Sequence, residues 1–269
     1  MRLHAQVTAV VIFLATMCIA VPVALHVRRS LWKSQTCHTP PSPGTLVHQI
    51  WIHDDWSVAE GLDALPAKYH EPVRSWRRRY GANHRLYDKA SCRAAVREHF
   101  PFLLTTYDRM DSNVERADMA RYAVMWAYGG FYTDMDTTML RPIDEFVDGV
   151  AFHTSVEYVK PNAPDGLVQY AFGSPPRHPI LSDILEEIAR RARDVKRRDM
   201  RPDERVFWTT GPVVFSKVVH HHLAMDPTLA VVHRFGTFGA YKHTPPHAYI
   251  WHHFDGSWKE NWSSEYTYW

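Results

Sequence analysis

Asp134 and Asp136, separated by Met135 in the run Gly129-Gly-Phe-Tyr-Thr-Asp-Met-Asp136, are the residues of this 269-residue chain best placed to do chemistry. In an extended backbone alternate side chains point the same way, so the two carboxylates face one side. Hard divalent cations prefer such oxygen donors. Mg²⁺ or Mn²⁺ is normally held by one or two carboxylates and completes its shell with water and phosphate oxygens. The pair is therefore a candidate bridge between a metal ion and a diphosphate, although Asp-x-Asp also occurs in ordinary solvated turns.

The carboxylates need a strand to present them, and roughly Phe131 to Thr133 supplies it. Before it, Ser112-Asn-Val-Glu115 has the spacing of a capping box, and a helix begun there runs to Gly129-Gly130, a natural stop. Within that helix Asp118, Arg121 and Tyr122 stand at i, i+3 and i+4 and share one face, while Met119, Val124 and Trp126 pack elsewhere. Further along, a strand is expected over 45–53, another at His84 to Tyr87, helices near 91–99 and 113–128, and a strand near Val150 to Tyr158. The spacing of Ile180, Leu181, Ile184, Leu185, Ile188 and Ala192 predicts an amphipathic helix over 179–194, with Pro179 near its start. Alternating strands and helices point to an α/β architecture.

Ala117-Asp-Met-Ala-Arg-Tyr122, Tyr128-Gly-Gly-Phe-Tyr132, Asp134-Met-Asp136 and Leu140-Arg-Pro142, taken in order, resemble glycosyltransferase family 32. Leu46-Val-His-Gln-Ile-Trp51 resembles the family's opening strand, and Ala171-Phe-Gly-Ser-Pro-Pro-Arg-His-Pro179 its mid-domain loop. Thr210-Gly-Pro212 and His252-His-Phe-Asp-Gly-Ser-Trp-Lys259 look closest to the fungal initiation-specific α-1,6-mannosyltransferase branch. The resemblance spans about residues 45 to 260. It implies a GT-A-type, Rossmann-like nucleotide-sugar-binding domain with ligands at the carboxyl ends of its strands.

The same resemblance implies a metal-dependent, retaining transfer of a hexose, with Mn²⁺ or Mg²⁺ as the ion. GDP-mannose is the expected donor, UDP-galactose or UDP-glucose the next, and a glycan or glycolipid hydroxyl the acceptor. Asp118, Arg121 and Asp136 are the expected catalytic residues. Trp51, Asp118, Arg121, Tyr122, Asp134, Ser257 and Trp258 are expected around the donor, and Asp134, Asp136 and His253 around the metal. Adjacent residues of a strand face opposite ways, so only one of His252 and His253 can reach the ion. The competing classes are a metal-dependent hydrolase and a membrane-tethered carbohydrate-binding protein that catalyses nothing.

Composition narrows the partners. With 31 basic against 29 acidic residues the net charge is only +2, too small to suggest nucleic acid, and the basic residues are spread among nearly as many acids. Aromatics at 13% suit a core and a sugar-stacking groove equally. His220-His-His222 has the look of a metal tract, but it follows an apolar run and reads as a helix end.

Val7 to Leu25 is an almost unbroken apolar run of membrane-crossing length. The expected organisation is a tail over 1–6, a signal anchor over 7–27, a Pro-containing stem over 28–44 and one catalytic domain over 45–269. The resemblance implies a type II Golgi protein with a lumenal catalytic domain. Arg28, Arg29 and Lys33 beyond the run argue against that orientation, and Cys18-Ile-Ala20 leaves cleavage of a signal peptide open. Cys37 and Cys92 could pair in an oxidising lumen, and Asn261-Trp-Ser263 is a glycosylation sequon if the carboxyl end is lumenal.

Overall fold

The computed structural model describes residues 44–240 and 244–256. The anchor, Cys37, the stem up to its last residue, Ser257, Trp258 and Asn261 lie outside them. Among the described residues no helix is long and apolar enough to cross a membrane. The longer elements run β1 (Val47–Ile50), α1 (Ala67–Tyr80), β2 (His84–Tyr87), α2 (Lys89–His99), α3 (Leu104–Asp108), α4 (Asn113–Tyr128), β3 (Gly130–Thr133) and β4 (Thr137–Met139). They continue with β5 (Phe152–Tyr158), β6 (Gly166–Leu167), β7 (Ala171–Ser174), α5 (Pro179–Ala192), α6 (Pro202–Thr209), α7 (Pro212–Met225), β8 (Ala230–His233) and β9 (Ile250–His252).

Seven strands form one mixed sheet in the order β2-β1-β3-β7-β5-β6, with β8 also paired to β5. β1 is parallel to β2 and β3, β7 is antiparallel to both β3 and β5, and β8 is parallel to β5. Five strands, β1, β2, β3, β5 and β8, therefore share a direction, and β7 is the reversed strand at the centre. The α/β expectation holds in this form. Because β1 and β3 are adjacent and parallel, their carboxyl ends open side by side, which is where α/β sheets place ligands. Trp51 leaves one of those ends and Asp134 the other.

Apolar side chains cover both faces of the sheet. Trp76, Phe131, Phe146 and Phe238 pack on one. Tyr122, Phe152, Phe172 and Phe215 stack together as a second aromatic group. α4 starts at the expected capping box, where Glu115 N–H donates to the Ser112 hydroxyl, and it packs against α2 and α5. Ten of its sixteen residues are buried, so it is a central helix wrapped on several sides and not an amphipathic surface helix.

Tyr128-Gly129-Gly130 ends that helix for a steric reason. Gly129 and Gly130 have φ of 62° and 101°, a region that side chains disfavour. A Cβ on Gly130 would also stand 2.5 Å from the Leu46 carbonyl oxygen. Gly130→Ala is expected to cost about 3 kcal/mol through combined backbone strain and overpacking, read as a lowered urea midpoint with an unchanged slope.

Two expectations change. The first strand is Val47–Ile50, shorter than 45–53, because the chain turns at Asp54-Asp55; even so Trp51 N–H still donates to the Tyr87 carbonyl at 2.9 Å. The segment opening at Ala171, expected as a loop, begins instead with β7. Four residues are too few for periodicity to announce a strand.

Candidate donor and metal site

Asp134 and Asp136 follow β3 directly and are fixed by backbone contacts on both sides. Asp134 N–H donates to the Tyr170 carbonyl at 2.9 Å, and the Asp134 carbonyl accepts from Gln49 Nε2 at 2.9 Å and Thr137 Oγ1 at 2.6 Å. β4 begins one residue after Asp136 and pairs antiparallel with β9, with Thr137 opposite His252. Trp76 Nε1 donates to the Thr137 carbonyl at 2.9 Å, anchoring this small sheet to the core.

That register decides between the two imidazoles. His252 lies on the inward side with Thr137, and its Nε2 comes within 3.2 Å of Asp136 Oδ1. Ligand atoms of Asp134, Asp136 and His252 all lie within 4.8 Å of one another, a group able to hold a metal ion. The expectation for His253 is corrected: its ring turns to the other face, where Nε2 meets Thr138 Oγ1 at 2.8 Å, and only its backbone N–H reaches the Asp136 carbonyl.

The donor set suits Mn²⁺ or Mg²⁺: two carboxylates and one imidazole, all partly buried, with room in the shell for phosphate oxygens. The electrostatics agree. Burial pushes the Asp134 carboxyl up against the pull of Arg121, and the Asp136 charge adds to the rise. Burial would raise Asp136 too, but its hydrogen bond and charge interaction with His252, joined by the Asp255 N–H at 2.9 Å, bring it below the usual carboxylate range. His252 Nδ1 is buried without a partner, and Tyr170 and Phe254 pack on the ring with centroids 4.0 and 3.9 Å away. His252→Ala is expected to raise the Mn²⁺ concentration for half-maximal activity at least about tenfold, and His253→Ala to move it less than about twofold.

The second half of the site is buried. Asp118 and Arg121 form a bridge at 2.9 Å, with side chains only 3% and 7% exposed, so they are not the weak surface pair that their spacing alone would allow. Asp118 is already served by three donors. Besides Arg121, Gln169 Nε2 lies 3.2 Å from Oδ1 and Thr210 Oγ1 donates to Oδ2 at 2.7 Å. Burial nevertheless pushes its carboxyl up to about 6, against Arg121 and Thr210. Asp118 therefore holds Arg121 in place.

Arg121 is the link between the two halves. Its Nη2 is 3.3 Å from Asp134 Oδ1, its Nη1 donates to the Gln169 carbonyl at 3.3 Å, and its guanidinium lies over the Tyr132 ring at 4.7 Å. Its Nε is buried with no acceptor. Tyr132 Oη donates to Asp134 Oδ1 at 2.7 Å, so two donors orient that carboxylate. Tyr122, expected at the donor, is a core residue. It is fully buried, its ring stacks between Phe172 and Phe215, and its hydroxyl donates to the Thr210 carbonyl and accepts from Gln169.

Trp51 is half-buried at the mouth of β1, tilted on Tyr69 with centroids 4.8 Å apart and parallel to the His53 ring at 5.9 Å. Asp255 clamps the tail onto this corner by accepting from Lys68 at 2.6 Å and Tyr69 Oη at 2.8 Å. Ser257 and Trp258, which follow, lie outside the described residues. Sequence reasoning missed Gln169 and Tyr132. Gln169 did leave a signal, a lone amide inside the apolar run Leu167-Val-Gln-Tyr-Ala-Phe172, where burial obliges it to find partners. The His220-His-His222 tract lies within α7, and His220 and His222 bond the Asp165 carbonyl and Asp183, consistent with a structural role.

Comparison with known proteins agrees with this arrangement. Residues 57–153, which include Asp118, Arg121, Asp134 and Asp136, match the family model described as the glycosyltransferase sugar-binding region containing the DXD motif. An uncharacterized glycosyltransferase of Acanthamoeba polyphaga mimivirus is 27% identical over 68% of this chain and 67% of its own length. Inositol phosphoceramide mannosyltransferase 3 of Schizosaccharomyces pombe is 30% identical over 49% of this chain, and the match spans only 34% of that protein. The initiation-specific alpha-1,6-mannosyltransferase of the same yeast is 23% identical over 85% of this chain and 70% of its own length. Among solved structures, PaToxG glycosyltransferase superposes with a TM-score of 0.41 at 18% identity, over 78% of this chain and 81% of that one. With the DXD carboxylates in the matched region and glycosyltransferases among its relatives, the chain is similar over residues 57–153 to the sugar-binding region of the DXD-motif glycosyltransferases.

Proposed function

We propose that the protein is a metal-dependent retaining mannosyltransferase of GT-A type that moves mannose from GDP-mannose to a hydroxyl of a glycan or glycolipid. The carrying observation is the convergence of Asp134, Asp136 and His252 beside the buried Asp118–Arg121 bridge at the carboxyl ends of β1 and β3. The mannosyltransferases among the relatives favour mannose as the sugar.

Asp134, Asp136 and His252 would hold Mn²⁺ or Mg²⁺, which supplies Lewis-acid stabilisation to the departing diphosphate. The chain's own residues do the rest. Arg121, held by Asp118, offers its unpartnered Nε and its positive charge to the donor phosphates or sugar. Trp51 offers a flat face for the base. The anomeric carbon–oxygen bond to phosphate breaks, a bond to the acceptor oxygen forms on the same face, and the acceptor proton passes to the departing phosphate.

The deciding experiment measures nucleoside-diphosphate release by the protein from GDP-mannose, UDP-galactose, UDP-glucose and UDP-N-acetylglucosamine, with Mn²⁺ or EDTA, with and without pooled glycan acceptors. Release from GDP-mannose that needs the metal and rises with acceptor is expected. Release without transfer would favour a hydrolase, and binding without release a carbohydrate-binding protein. We further propose the Golgi membrane as its location, with residues 7–27 as anchor and the catalytic domain lumenal. Glycan occupancy at Asn261 reports that orientation, and an unmodified Asn261 in a chain shown to enter the secretory pathway would count against it.

A further inference from the structure

A cavity of about 210 Å³ opens where the end of β5 meets the junction of α6 and α7. Tyr158, Phe207 and Trp208 wall it together with Glu157, Glu204 and Lys160. It is smaller than the roughly 300–1,000 Å³ of pockets that enclose drug-sized ligands, which limits it to about one ring. Aromatic faces of this kind pack against the C–H face of a sugar, and carboxylates accept from its hydroxyls. The guanidinium of Arg191 sits over the Trp208 ring at 4.9 Å and fixes that wall.

Two connections tie the cavity to the carboxylates. Trp208 lies two residues before Thr210, whose hydroxyl donates to Asp118 at 2.7 Å. On the other side, Glu157 lies near the carboxyl end of β5, which runs in the direction of β1 and β3 and so opens on the same edge of the sheet as the ends that carry Trp51 and Asp134.

We propose that this cavity is the acceptor subsite and that it takes a neutral polyhydroxylated ring of the hexose class. The assignment rests on the transferase reading above. Glu157 and Glu204 outnumber Lys160 in the lining, and the neighbouring guanidiniums are already taken, Arg201 by Glu204 and Asp203 and Arg191 by Glu187, so the cavity offers a phosphorylated ring no net positive charge.

Val213 tests it. It lines the cavity, is 41% exposed and occupies the second position of α7, so a larger side chain can fill the space without opening the core. Initial rates are measured against methyl α-D-mannopyranoside as acceptor, and saturation-transfer NMR follows binding of the same glycoside and of mannose 6-phosphate. Val213→Trp is expected to raise the acceptor KM at least about tenfold and to remove the NMR signal of the glycoside, while the donor KM moves less than about twofold. Glu157→Ala should raise the acceptor KM in the same direction.

An acceptor KM unchanged in both variants overturns the proposal, as does a stronger signal from the phosphorylated sugar than from the neutral one. Glycoside binding that Val213→Trp removes, in a protein that never turns over, supports the cavity and overturns the transfer reaction. Metal-dependent transfer insensitive to both variants does the reverse.

Discussion

Asp136→Asn is expected to lower kcat/KM for transfer about 10²–10³-fold, the scale of removing one preorganised group that stabilises charge developing in the transition state. The substitution is nearly isosteric, and the amide oxygen can still accept from the Asp255 N–H that now donates to Oδ2 at 2.9 Å. What is lost is the negative charge that faces His252 at 3.2 Å and, with Asp134, favours a divalent cation. The deficit should shrink as Mn²⁺ is raised if Asp136 acts mainly by holding the ion. It should persist at saturating Mn²⁺ if the carboxylate also orients the diphosphate. Circular dichroism and a thermal midpoint within a few degrees of wild type separate either case from misfolding. Near-normal turnover would defeat the assignment of Asp136 to the metal.

The carboxylate half of the site was legible because its logic is local. Asp134 and Asp136 follow a strand, alternation puts them on one side, and the Gly129-Gly130 turn before that strand is written in residue types that few other conformations require. The capping box at Ser112 and the termination at Gly129 likewise gave α4 at its observed bounds. What sequence could not supply was register between distant segments. Whether His252 or His253 turns inward depends on Thr137 facing His252 across β4 and β9, a pairing over more than a hundred residues that no local pattern encodes. The surroundings of Asp118 and Tyr122 were hidden for a related reason. Helical spacing correctly put them on one face with Arg121, but that face meets Gln169 and Thr210 in the core. Only Arg121 is long enough to reach from there to Asp134.

Arg121→Met is expected to destabilise the fold by about 3–5 kcal/mol, because removing one partner of a buried ion pair leaves the other charge uncompensated. Here two carboxylates lose their cation, since Nη2 serves Asp118 at 2.9 Å and Asp134 at 3.3 Å. The variant should be inactive as well as unstable, so the informative measurement is a double-mutant cycle by urea unfolding. Asp118→Asn keeps shape while removing one buried charge, and Asp118→Asn with Arg121→Met should be more stable than Arg121→Met alone. Additivity of the two substitutions would show that the bridge carries no coupling. pH offers an independent check with a fixed sign. The folded-state carboxyl of Asp118 is pushed up to about 6, chiefly by burial, above the roughly 3.9 of an unfolded aspartate. Its contribution to stability is therefore fully present below about pH 4 and is lost as pH rises through about 6. Loss of Arg121 removes the main force holding that carboxyl down, which moves the folded-state value higher and widens the window. The stability gap between Arg121→Met and wild type should narrow on acidification toward pH 5, and the Asp118→Asn background should remove most of that pH dependence. A gap that is the same at pH 5 and pH 8 would mean that Asp118 is not the charge Arg121 compensates.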